Sequence, residues 1–83
     1  MDFEKRAKKD IEKLENFIEY SRSLNFHKKY PKLFEHILNY KKDSEHYYFK
    51  KDYFSSLGCA NYAYGILEGL LFNEKGKYFH EII

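Results

Sequence analysis

Arg22 and His27 stand five residues apart, and their side chains are of the two types that phosphodiester cleavage uses. Arginine would steady phosphoryl charge and histidine would move a proton, the division of labour of a small nuclease. The pair straddles a predicted helix end and loop, where a surface arginine and a loop histidine are the plainer reading. Asp43 and His46 lie three apart, so a helix presents both on one side. Di-metal bundles repeat that pair on a second helix, and here there is no second pair. His27, His36 and His80 have no metal-ligand spacing, so no metal or cofactor is expected. Cys59 is the only cysteine; among small residues on a helix it reads as a packed thiol rather than a nucleophile. With no glycine-rich phosphate loop and no Ser/His/Asp pattern, a non-enzymatic protein is expected.

Charge offers a second kind of chemistry. The 83 residues carry a net charge of +2, concentrated in the middle. Residues 27–51 hold seven lysines (Lys28, Lys29, Lys32, Lys41, Lys42, Lys50 and Lys51) against Glu35, Asp43 and Glu45. Tyr47, Tyr48 and Phe49 precede Lys50 and Lys51. Rings that stack bases beside ammonium groups that meet phosphates suit single-stranded RNA, with Lys41, Lys42, Lys50, Lys51 and Tyr48 as the contacts. The alternative is a solvated lysine-rich helix face. Successive helical residues point about 100° apart, so at least one of the three rings belongs to the core.

These residues need helices to position them. Phe3, Ala7, Ile11, Leu14 and Ile18 recur three or four apart and predict a first helix over about 2–23. Leu24–Lys29 has no clean period. Pro31 suits the first turn of a second helix, about 31–50, with a seam of Leu33, Ile37, Tyr40, Ser44 and Tyr47 widened by Phe34, Leu38 and Tyr48. Asp52 is a candidate N-cap for a third helix over about 53–72. Its main seam is Tyr53, Leu57, Ala60, Tyr64, Leu67 and Leu71, flanked by Ser56, Cys59, Ala63 and Leu70. Gly58, Gly65 and Gly69 inside this pattern suggest close backbone approach. Asn73–Gly76 reads as a stop, leaving residues 73–83 as a tail that forms a short turn, a strand or a partner-docking end. Short joins make consecutive helices antiparallel neighbours. The expected fold is therefore all-α: one domain over residues 1–83, an antiparallel up-down-up three-helix bundle with a short C-terminal tail.

From Tyr40 to Gly69 the chain resembles the archaeal family catalogued as domain of unknown function 357. Tyr40, Asp43, Asp52, Tyr53, Tyr62, Ala63, Gly65 and Leu67 match without a gap. Ser44 and Ser56 stand where the family prefers alanine, Glu68 where it has aspartate, and Lys51 where it has the glycine of the interhelical turn. The resemblance implies a small helical bundle in the cytoplasm and brings no catalytic residue. More loosely, the K-x-D-Y run with a Tyr-Ala pair is similar to one tetratricopeptide-type hairpin, which implies peptide binding. A single hairpin cannot build that solenoid.

Nine tyrosines and eight phenylalanines are more ring than a three-helix core of this length absorbs, which favours self-association as a homodimer. No apolar run is long enough to span a bilayer, and MDFEKRAKKD is no signal peptide, so a soluble protein is expected. The reading is a protein-interaction or scaffolding module whose partner contacts are Tyr53, Tyr64, Glu68 and Asp43. An RNA-binding accessory protein is the alternative, and a nuclease using Arg22 and His27 the third.

Overall fold

A computed structural model describes the backbone of residues 2–82 and the side chains of residues 2–74. The described residues form four helices: α1 (Phe3–Ser23), α2 (Phe26–Lys29), α3 (Pro31–Phe49) and α4 (Tyr53–Ile82). No strand occurs among the described residues, and no helix there is long and apolar enough to cross a membrane.

The helix ends follow local chemistry. Asp2 caps α1 by accepting the Lys5 amide at 3.2 Å, and Asp52 caps α4 by accepting the Ser55 amide at 3.2 Å. Pro31 opens α3, where its missing N–H costs nothing. After α3 the Lys51 amide donates to Tyr48 O and the Asp52 amide to Tyr47 O, the paired bonds of a Schellman turn. That turn needs a left-handed residue, and Lys51 supplies it at φ 65°. So the turn keeps the form a glycine would give, with a side chain that dislikes it. Lys51→Gly is therefore expected to raise the unfolding free energy by about 0.5–1 kcal/mol, read as a higher urea midpoint at unchanged slope. A lower midpoint would count against this account of the turn.

Three sequence expectations are corrected. The first is helix number: α2 fills the stretch that has no period. Asn25, left-handed at φ 64°, ends α1, and its carbonyl accepts the Lys28 and Lys29 amides at 3.0 and 2.9 Å. Asparagine tolerates that backbone, and Phe26 then turns inward and is 1% exposed. The second is the end of α4. The expected stop at Asn73–Gly76 does not act, and the helix continues to Ile82, in place of the expected tail. Asparagine and glycine are weak helix formers rather than breakers. Just past Phe72, the Tyr30 hydroxyl donates to the Glu74 carboxylate, and Lys29 Nζ lies 3.6 Å from it. Ile83 and the side chains from residue 75 onward lie outside the described residues. The third is the glycines: a methyl group placed on Gly58, Gly65 or Gly69 meets nothing within 4 Å. They face open space, so among the described residues the close approach the glycines suggest is not made.

Contacts fix the helix directions. Tyr48 meets Tyr53 at 5.4 Å and Tyr40 meets Tyr62 at 4.4 Å, so α3 and α4 run antiparallel. Phe3 meets Phe54 at 6.2 Å and Phe17 meets Tyr64 at 4.8 Å, so α1 and α4 run the same way. α4 packs along both α1 and α3, while α1 and α3 touch each other much less. The core joins Ile11, Leu14 and Ile18 of α1, Phe26 of α2, Phe34 and Ile37 of α3, and Ala60, Ala63 and Leu67 of α4. The buried row of α4 is Ser56–Ala60–Ala63–Leu67, midway between the two rows the sequence suggested. Leu33 and Tyr47, expected in the α3 seam, are exposed. Small residues let α3 and α4 close up: Ser44 Oγ donates to Ser56 O and Ser56 Oγ to Ser44 O, each at 2.7 Å and fully buried.

Candidate docking surface

α4 is apolar on three sides, and only two sides are used. From Tyr53 to Asn73 its single charged residue is Glu68. One side meets α3 through Ser56, Ala60 and Ala63; another meets α1 through Asn61 and Tyr64. The third side faces outward. It exposes Phe54 and Phe72, each 73%, and Tyr62, 51%, with Gly58, Gly65 and Gly69 between them. Gly58, Tyr62, Gly65, Gly69 and Phe72 succeed one another four or three apart, so they form one stripe.

Tyr64 and Glu68, two of the expected partner contacts, lie together. With Phe17, Leu71 and Phe72 they line a groove of about 320 Å³ between α1 and α4. The other two lie elsewhere. Tyr53 is half-buried near the start of α1, where burial and the charge of Glu4 raise its hydroxyl pKa. Asp43 is exposed on α3, close enough to Cys59 for its charge to act there. The Cys59 thiol pKa is raised by burial first and then by Asp43 and Asp52, which keeps the sulfur protonated and weakly nucleophilic at neutral pH.

The basic residues do not make one surface. Lys41 is held by Glu45 at 3.2 Å and Glu15 at 3.7 Å, so its charge is already answered. Lys42, Lys50 and Lys51 are exposed toward the α3–α4 turn. Lys28, Lys29 and Lys32 sit at the other end of α3, about 28 Å away for a 19-residue helix. Tyr48 is half-buried against Tyr53, and the rings open to solvent are Phe49, 81% exposed, and less so Tyr47. Phe49 carries the aromatic exposure that the sequence assigned to Tyr48.

Arg22 and His27 each lie against the Phe34 ring. The Arg22 guanidinium lies 4.9 Å from the Phe34 ring centre, and the His27 ring centre lies 5.9 Å from it. Arg22 also pairs with Glu19 at 3.5 Å, which places a carboxylate where a phosphate would be repelled. His27 Nδ1 is buried without a hydrogen-bond partner among the described residues. No cluster of three His, Cys, Asp or Glu side chains spaced for a metal occurs among the described residues.

Sequence reasoning read the glycines as a place of close backbone approach without saying whether the neighbour lies inside the chain or outside it. The available signal was Phe54 and Phe72: both fall outside the core-facing rows, and phenylalanine has no polar tip to justify exposure. No curated protein and no solved structure matches the chain. The family model described as a protein of unknown function (DUF357) matches residues 2–79, nearly the whole of α1 to α4. The chain thus belongs to the DUF357 family.

Proposed function

We propose that this protein is a non-enzymatic interaction module, an up-down-up bundle of its three long helices that docks a partner helix on the outward side of α4, with a second copy as the first partner to test. One observation carries the reading: an uncharged stripe of glycines bounded by exposed Phe54, Tyr62 and Phe72 on a helix whose other sides are already packed. Glycine in a helix costs about 1 kcal/mol relative to alanine, a cost that packing inside this chain does not offset. Close approach of a second helix would offset it, with the rings as anchors.

Gly65→Leu separates docking from folding. The added side chain enters open space and favours the helix, so the melting temperature should hold or rise. The same side chain blocks an approaching helix. A tagged pull-down from native extract, with and without RNase, and light scattering of the purified protein are read together. The expected result is a protein partner, or a doubled mass, that survives RNase and is lost in Gly65→Leu. Association unaffected by Gly65→Leu would overturn the placement. A partner set lost with RNase would put the exposed lysines and the RNA reading first.

A further inference from the structure

The groove beside the docking stripe has a chemistry of its own. Tyr64, Glu68 and Phe72 follow one another at four-residue steps, so the carboxylate projects between two aromatic rings. Phe17 of α1 forms the facing wall, packed on Tyr64 with ring centres 4.8 Å apart. Leu71 completes the lining of a space of about 320 Å³. Ring faces carry partial negative charge and attract cations. The Tyr64 ring already holds one cation from outside the groove, Lys13 Nζ at 4.7 Å from its centre, which leaves Phe72, 73% exposed, as the open ring face beside Glu68. Glu68 is exposed and has no ion pair among the described residues, although lysines outnumber every other charged type in the chain.

We propose that this groove binds an arginine side chain of a partner protein. A planar guanidinium stacks on aromatic faces and takes a carboxylate through two N–H donors at once, which a lysine ammonium cannot do. Its methylene stem would lie along Leu71 and Phe72. A second copy offers only Arg6, because Arg22 is already placed against Phe34 and Glu19. Identifying the arginine's owner as the docked protein rests on the interaction reading above; the cation site itself does not.

The test is a nuclear magnetic resonance titration of the full isotope-labelled chain with N-acetyl-arginine amide, set beside N-acetyl-citrulline amide. Citrulline has nearly the same shape without the charge. The expected result is saturable shifts of the Tyr64, Glu68 and Phe72 amides with the arginine probe, at least about fivefold weaker with citrulline and in Glu68→Gln. Glu68 is exposed, so Glu68→Gln should keep the fold, and an unchanged spectrum away from the groove checks this. Equal response to both probes, no saturable response, or Glu68→Gln binding like the parent would each overturn the site. Shifts at Tyr64 and Glu68 on dilution of the protein alone that persist in Gly65→Leu would place a second copy in the groove and overturn the assignment to another protein. Gly65→Leu should leave the arginine response intact. Loss of docking with retained arginine binding therefore reports on the stripe and the groove separately.

Discussion

Phe26→Ala should lower the unfolding free energy by about 3–5 kcal/mol, the largest loss expected from a single substitution in this chain. Phe26 is 1% exposed and joins the same core as Ile18 of α1 and Phe34 and Ile37 of α3. It also meets Tyr30 edge-on at 5.7 Å, and Tyr30 is the residue whose hydroxyl holds Glu74 of α4. That bond to Glu74, ahead of burial, raises the Tyr30 pKa, so the proton stays on the phenol through the neutral range and the phenol remains the donor. Removing the Phe26 ring therefore opens a cavity and loosens the tether on the far half of α4. The measurement is urea unfolding followed by circular dichroism, with the slope compared as well as the midpoint. For a domain with about 5–15 kcal/mol in total, the loss is a large fraction of its stability. A change below about 1 kcal/mol would mean that α2 is an ornament rather than part of the core.

That single residue shows where the sequence is legible and where it is not. α1 and α3 can be read because their apolar residues repeat over several turns and their ends carry local signals, Asp2 at one and Pro31 at the other. α2 cannot be read, because four residues complete about one turn and no period can show in so short a piece. Its cause is tertiary: Phe26 finds a place in a core that sequence does not display. The end of α4 is hidden for a related reason. Asn73 and Gly76 look like a stop, but the tether at Glu74 comes from Tyr30 and Lys29, more than forty residues away. The exposed stripe is a different failure. Gly58, Gly65 and Gly69 recur with helical regularity, yet regularity alone does not say which neighbour, inside the chain or outside it, a face is meant to meet. The groove was half visible: Tyr64 and Glu68 lie one turn apart in sequence, while Phe17 reaches them only through the packing of α1 on α4.

Leu67→Ala should cost about 2–5 kcal/mol, and Tyr64→Ala only about 1–2 kcal/mol, although the two residues are neighbours in one apolar run. Leu67 is 0% exposed and sits where α4 faces the core formed by α1 and α3. Removing its branched end leaves a void that helices already in contact cannot close. Tyr64 is half-buried at the α1 edge, against Phe17 on one side and under the Lys13 ammonium on another. Losing that ring removes an aromatic pair but exposes the space to water instead of sealing a cavity. Leu67→Met, which keeps the volume, should cost less than about 1.5 kcal/mol. The ranking can be read from three urea curves. If Tyr64→Ala proved as damaging as Leu67→Ala, Tyr64 would be a core residue and the groove it lines would be closed in solution. If Leu67→Ala were mild, α4 would not be the helix that the other two are built around. The expected order keeps the structural side of α4 distinct from the sides left for partners. It also allows Gly65 and Glu68 to be changed for function while the fold stays intact.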